Sequence, residues 1–346
     1  MGQALAQESL LKLDETHEMP TVADRLALLP GDVRAQLAEV EAELQALEPR
    51  PRGPARASAR HVLDTGGKRV RPILCLLAAE SCAPGRRLPE LIGVAQATEL
   101  IHAASLLHDD VIDLGEWRRG RPSARLIYGN AASVLGGNLL LVHALQLVSR
   151  TGLPSLMDST LGVLREMIAA ESVQLAARGR LSLTEDEYFE IVGGKTASVF
   201  AWSAESGARA AGGSDAVVEA LREFGYEVGV TFQLVDDLLD LVQDPAQLGK
   251  SVWQDLQTGT LTHPLVHAAQ RDPERIAALL AGNGVQGEDL GKAVHALAEE
   301  TGGLEASRRE IERRTERALR LLEPVPAGPA RDVLALVAQR LSVRAS

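Results

Sequence analysis

The chain has 346 residues, a formal net charge of -11 and 45% hydrophobic residues, enough apolar material for a substantial core and too much for wholesale disorder. The acidic balance argues against a surface built to attract nucleic acid or an anionic membrane. Aromatic residues, at 3%, leave few platforms on which bases could stack. The two cysteines, Cys75 and Cys82, cannot make a disulfide framework, so a cytoplasmic location is expected. The first residues lack a basic stretch followed by an apolar core, and no signal peptide is expected.

Residues 1–30 read as a variable N-terminal extension, and 31–346 as a single all-helical domain. From Asp32 to Leu47 the apolar positions Val33, Leu37, Val40, Leu44 and Leu47 recur at spacings of three and four, the period of an amphipathic helix. Pro49-Arg50-Pro51-Arg52-Gly53-Pro54 breaks it. The pattern then predicts helices over 56–64, 70–82, 89–113, 130–150, 155–179, 184–208, 214–243, 260–271, 273–281, 289–300, 304–322 and 327–343. Strand alternation with paired turn signals is missing, so the expected fold is all-α, one large helical bundle.

Between Arg125 and Arg150 no residue carries a formal charge, and Leu139-Leu140-Leu141-Val142 lies inside that stretch. A membrane span needs about 20 mostly apolar residues. Asn130, Asn138, His143 and Gln146 interrupt this one, which favours a helix buried on most sides, partly by another subunit, over a transmembrane segment. Gly136-Gly137, Gly193-Gly194, Gly225 and Gly229 sit in apolar or alanine-rich surroundings although glycine disfavours helix. Close packing or cavity space explains them; Gly193-Gly194 also fits a kink or boundary.

Two clusters carry the chemistry. His108-Asp109-Asp110-Val111-Ile112-Asp113 and Val235-Asp236-Asp237-Leu238-Leu239-Asp240 each place aspartates at relative positions zero, one and four. On a helix the first and last stand about 40° apart, so Asp109 with Asp113, and Asp236 with Asp240, can address one ligand from adjacent turns. Magnesium takes hard oxygen ligands and commonly combines few carboxylates with phosphate and water. Like charges this close are unfavourable without a cation. Thr98, His102, Ser105, Asp109 and Asp113 share one polar stripe, and Gly225, Gly229, Gln233, Asp236 and Asp240 another, whose glycines would leave space open above the carboxylates. The glycine and glutamate spacing of a calcium loop is absent.

Cationic groups separate a diphosphate site from other metal sites. Gly66-Gly67-Lys68-Arg69-Val70-Arg71-Pro72 sets three positive charges beside flexible glycine, without the spacing of a nucleotide P-loop. Arg118-Arg119-Gly120-Arg121 follows Asp113, and Lys195-Thr196 and Lys250 are further candidates. Each alone is a solubilising charge; together they can offset a polyphosphate.

With these features in order, the chain resembles the trans-isoprenyl diphosphate synthase, or polyprenyl synthetase, family from about Ala57 through Leu265. The resemblance implies a helical homodimer that condenses isopentenyl diphosphate with an allylic prenyl diphosphate, with three magnesium ions per active site between the acidic helices. Asp109, Asp110 and Asp113 match the first metal motif, and Asp236, Asp237 and Asp240 the second. Arg118, Lys195 and Lys250 would hold the allylic diphosphate, and Lys68, Arg71, His102 and Arg119 the isopentenyl diphosphate. Thr196 and Gln233 would face the reacting allylic carbon. Two positions depart from the pattern: Thr260 stands where a lysine is usual, and Asn138 where an aspartate is.

Ala104 and Ser105, five and four positions before Asp109, correspond to positions that set product length, and neither carries a ring. A product of C20 or longer is therefore expected, with Ile101 able to narrow a lower level. Two alternatives remain at this stage. A class I terpene cyclase would share the metal chemistry but need no second diphosphate site, whereas a noncatalytic subunit of a heteromeric prenyl diphosphate synthase could retain the pocket without turnover.

Overall fold

A computed structural model describes residues 29–48, 52–242, 260–280 and 288–343. Its helices are α1 (Gly31–Ala46), α2 (Pro54–Asp64), α3 (Val70–Cys82), α4 (Leu91–Ile112), α5 (Ala124–Tyr128), α6 (Asn130–Arg150), α7 (Pro154–Ala177) and α8 (Glu185–Val192). A π-helical turn (Gly193–Ala197) leads into α9 (Ser198–Ala210). Then come α10 (Asp215–Val242), α11 (His263–Arg271), α12 (Pro273–Leu280), α13 (Glu288–Glu300), α14 (Gly303–Leu321) and α15 (Pro329–Val343). Of the expected extension over residues 1–30, all but Leu29 and Pro30 lies outside the described residues, and Leu29 is buried in the core.

The predicted helices are present within a few residues of their expected limits, and α1 buries Val33, Leu37, Val40 and Leu44 as its spacing requires. The short helix α5 was not expected, and two further features were not read from the sequence, which offered only a kink or boundary at Gly193-Gly194. A two-stranded antiparallel hairpin, β1 (Trp117–Arg118) and β2 (Arg121–Pro122), follows α4. Its connecting residues Arg119 and Gly120 both have positive φ, 51° and 74°, the backbone of a tight hairpin turn. Strands of two residues are too short to leave an alternation in the sequence. The second feature is the π turn itself, an extra residue per turn inside an otherwise continuous helix.

α9 is the centre of the bundle: every residue from Ser198 to Ala208 is buried. Its side chains are mostly small, which lets α3 and α10 pack against its backbone. A Cβ at Gly207 would collide with the Cys75 carbonyl of α3. On α10, a Cβ at Gly225 would lie 2.6 Å from the Phe200 carbonyl oxygen, and one at Gly229 would lie 2.6 Å from the Ala197 Cα. Gly225 and Gly229 therefore do not open space above the carboxylates, as the sequence suggested; helix backbones fill that space.

α6 is long and apolar enough to cross a membrane, the single such helix among the described residues, but α2 and α4 cover one of its sides. Its other side exposes Leu135 and Val142, with Asn138 between them. The burial expected for this helix is thus only half supplied by its own chain.

Replacing Gly207 with alanine should force α3 and α9 apart and cost about 3 kcal/mol, the upper part of the usual range for overpacking. Urea denaturation of G207A checks this; unchanged stability would show that the two backbones are not in contact.

Candidate active site

Asp113 just past α4, the hairpin's Arg118, the end of α7 and the turn after it, α8, the π turn, the C-terminal half of α10 and residues 260–262 surround a cavity of about 340 Å³. Asp113, Arg118, Gln174, Arg178, Arg180, Lys195, Thr196, Gln233, Asp237 and Thr260 contribute its polar lining. Of the six aspartates, Asp113 and Asp237 line this space, one from each acidic motif.

The π turn aims two side chains at it. Gly193 and Gly194 permit the turn's fit: a Cβ at Gly193 would strike the Tyr226 hydroxyl, and one at Gly194 would lie 2.7 Å from the Ala170 Cβ. Lys195 Nζ pairs with Glu171 at 2.6 Å, donates to Gln174 Oε1 at 3.0 Å and stands 3.8 Å from Asp109. Thr196 donates to Gln233 Oε1 at 3.2 Å, and Gln233 Nε2 donates to Asp237 at 2.8 Å. A continuous polar line therefore runs from Asp109 through the π turn to Asp237.

The six aspartates are not equivalent. Asp110 is buried and accepts two hydrogen bonds from Arg118, at 2.7 and 2.9 Å. Asp237 is also buried; it accepts from the Tyr188 hydroxyl at 2.6 Å, the His263 backbone N–H at 2.9 Å and Gln233. Asp113 pairs with Arg178. Asp236 and Asp240 lie half-buried on α10. Burial pushes Asp109 up to about 6; Lys195 opposes the shift, and Glu171 and Asp113 add to it. Burial also raises Asp113 and Asp237. For Lys195, burial works against the charge, yet Asp109, Glu171 and Asp113 hold its pKa above the ordinary value.

A second, cationic region adjoins the first. Arg71 is placed over the Phe200 ring, 4.6 Å from its centroid, and its buried Nε has no partner. Burial lowers its pKa to about 10, and Arg119 adds to that while Glu99 and Asp236 oppose it. His102 is pushed well below its usual value by burial and then by Arg71, Arg119, Arg118 and Arg69. Lys68 lies exposed at the edge of this group. Two of the arginines are set by strained backbone: Arg69 and Arg119 both have φ of 51°. Arg69 is anchored by Glu41 and by buried Glu99, the latter at 2.6 Å. Arg119 lies against Gly67, whose added Cβ would sit 3.0 Å from its Nη1. So much positive charge beside an imidazole whose protonation is disfavoured suits an anion.

Among the described residues, no three His, Cys, Asp or Glu side chains form a ready-made metal cage. Asp109 with Asp113 and Asp236 with Asp240 instead present two pairs of hard carboxylate oxygens, which suit magnesium when phosphate and water complete the shell. Burial is the main cause of Asp109's raised pKa, with Glu171 and Asp113 adding to it, and a cation bound beside it would oppose that shift. Lys250 lies outside the described residues. Sequence reasoning missed Glu171, Gln174 and Arg178; the first two lie three apart on apolar α7, where a helical wheel would have shown them, whereas Arg178 falls in the turn just after it. Tyr188 and His263 left no such signal, because their contacts are with residues distant in sequence.

In metal-free protein, Asp109 binds its proton more tightly folded than unfolded, since burial lifts it from 3.8 to about 6. Its stabilising contribution is complete below the unfolded value and is lost as pH rises through the folded one. D109N should therefore be more stable than the parent chain at about pH 8, by up to about 3 kcal/mol, and gain much less at about pH 4. Denaturation with a chelator present measures both; an equal difference at the two pH values would contradict the assignment.

The residues from 54 to 298 match the family model described as polyprenyl synthetase. The all-trans-nonaprenyl-diphosphate synthase (geranyl-diphosphate specific) of Rhodobacter capsulatus is 36% identical over 278 residues, covering 80% of this chain and 85% of the relative. The geranylgeranyl diphosphate synthase of Methanosarcina mazei is 34% identical over 253 residues, covering 71% and 77%. A solved structure of a polyprenyl synthase from Caulobacter crescentus, complexed with calcium and isoprenyl diphosphate, superposes with a TM-score of 0.84. That likeness is at 32% identity and covers 96% of this chain and 100% of the other.

Proposed function

The chain belongs to the trans-isoprenyl diphosphate synthase (polyprenyl synthetase) family of prenyltransferases, and on that premise we propose a magnesium-dependent condensation of isopentenyl diphosphate with an allylic diphosphate, giving a product of C20 or longer. The observation that carries this reading is that Asp113 and Asp237, one residue of each acidic motif, meet a set of cations across one cavity, beside a second group of cations around His102. A terpene cyclase has no use for that second cationic group. We take 31–346 as one catalytic domain in a cytoplasmic enzyme, in keeping with its two free cysteines.

Asp109, Asp113, Asp236 and Asp240 would hold the magnesium ions, three in number by the resemblance. Asp110 and Asp237, expected as ligands as well, already accept hydrogen bonds within the chain and serve to aim Arg118 and Gln233. Bound magnesium would supply Lewis-acid stabilisation of the departing diphosphate. Arg118 and Lys195, with Lys250, hold the allylic diphosphate and stabilise its charge as the C–O bond breaks. The Thr196 hydroxyl and the Gln233 carbonyl, already bonded to each other, turn oxygen dipoles toward the allylic cation. Lys68, Arg71, His102 and Arg119 fix isopentenyl diphosphate so that its double bond meets that carbon. Loss of a proton, with the released diphosphate as acceptor, regenerates the alkene. Water must be kept from the cation, which it would otherwise capture.

Ala104 and Ile101 are fully buried below Asp109, and the Ser105 hydroxyl is turned back to the His102 carbonyl at 2.9 Å. That neither Ala104 nor Ser105 carries a ring supports the longer product. The proposed partner is a second copy: exposed Leu161, Ile168 and Leu175 recur every seventh residue on α7, beside Leu135 and Val142 of α6. An apolar strip of this length on adjacent helices suits a helix-on-helix dimer.

Purified enzyme given isopentenyl diphosphate with dimethylallyl, geranyl, farnesyl or geranylgeranyl diphosphate should make linear products of C20 or more. D109A and D236A should lose at least about 100-fold in turnover while folding normally, as expected when groups that stabilise developing charge are lost. Cyclic or hydrolysed products alone, or normal turnover of either variant, would reject the reading. I168E, at a position 71% exposed, should convert a dimer into monomers in sedimentation; a monomeric parent chain would reject the dimer.

A further inference from the structure

Resting on the reading of the cavity as an allylic diphosphate site, we propose that Arg178 is a further diphosphate ligand, supplying the positive charge that Thr260 does not. Four cations line the cavity: Arg118, Arg178, Arg180 and Lys195. Thr260 lies on the same lining, at the position where the resemblance leads one to expect a lysine.

Arg178 reaches the cavity because the chain reverses sharply just after α7. Its φ and ψ are -55° and 130°, Gly179 follows with a φ of 72°, and the Arg180 N–H donates to the Ala177 carbonyl at 3.0 Å. These are the marks of a type II turn, with glycine at the position that demands positive φ. The turn holds the Arg178 side chain against the C-terminal end of α4. There it donates to the Ile112 carbonyl at 3.2 Å and pairs with Asp113, while its buried Nε has no acceptor.

The other three cations are committed differently. Arg118 is held by Asp110, a carboxylate buried away from solvent. Lys195 keeps Glu171 and Gln174 even if Asp109 turns elsewhere. Arg180 pairs with Glu187 in an ion pair open to solvent on both sides. Arg178 leans on Asp113, the carboxylate that the proposed reaction assigns to metal. When Asp113 turns to a cation, the guanidinium loses that acceptor while its Nε already lacks one, and a partly buried charge left in that state is unfavourable. Diphosphate oxygens beside the same metal present acceptors that suit the planar fork of an arginine. The ion pair with Asp113 is thus a resting latch, and diphosphate is the partner that replaces it.

Calorimetric titration of the full chain with inorganic diphosphate tests this, with magnesium and with a chelator. With magnesium, R178Q should bind about 10- to 100-fold more weakly than the parent chain, the cost of a lost charge-assisted hydrogen bond. With the chelator, where Asp113 keeps the latch closed, the two should agree. The KM for farnesyl diphosphate should rise in parallel with the loss of affinity, while that for isopentenyl diphosphate stays within about twofold. R178Q/T260K, which restores a cation across the cavity, should recover most of the loss, a rescue that a merely structural arginine would not allow. Equal affinities for R178Q and the parent chain in magnesium would overturn the proposal, as would a loss that is the same with chelator and is not recovered by T260K. If the parent chain itself fails to bind diphosphate in magnesium, the reading of the cavity falls, and Arg178's role with it.

Discussion

A lysine ammonium held among Asp109, Glu171 and Gln174 is the contact on which the site depends. It brings α4, α7 and the π turn to one point, and the next residue, Thr196, continues the connection to α10 through Gln233. Burying charge is costly unless it is paired and hydrogen-bonded, so this assembly is stable only as a set. Carboxylates of both acidic motifs, Asp113 and Asp237, thereby share one cavity with Arg118, Arg178, Arg180 and Lys195.

Glycine makes that arrangement possible. Gly193 and Gly194 seat the π turn, while Gly207, Gly225 and Gly229 allow α3, α9 and α10 to meet backbone to backbone. The positive φ values of Arg69 and Arg119 are a further local cost, met by the pairing of Arg69 with Glu41 and Glu99 and by the space at Gly67. Strain of this kind is worth keeping where a side chain must be aimed rather than merely placed.

Most helices were legible because their apolar residues repeat at the helical period, and both acidic motifs were legible because three aspartates at fixed offsets are hard to explain otherwise. The hairpin at Arg119-Gly120 was not, since its strands are too short to show alternation. The unequal duties of the aspartates were hidden for a different reason. Asp110 and Asp113 differ in which cation faces them, Arg118 or Arg178, and Asp237 differs from Asp236 in its bonds to Tyr188 and His263. Those partners come from other elements, and only the fold brings them together. The glycines of α10 show the converse: the sequence marked them as unusual, but space and close contact look alike until the neighbouring helix is seen.

The most direct measurement is a crystal structure of the chain with magnesium and inorganic diphosphate. The account predicts metal ions bridging the diphosphate to carboxylates of both α4 and α10, inside the cavity bounded by Lys195 and Thr196. Metal and diphosphate bound to one helix alone, or at a separate surface with the cavity between the helices unaltered, would contradict it.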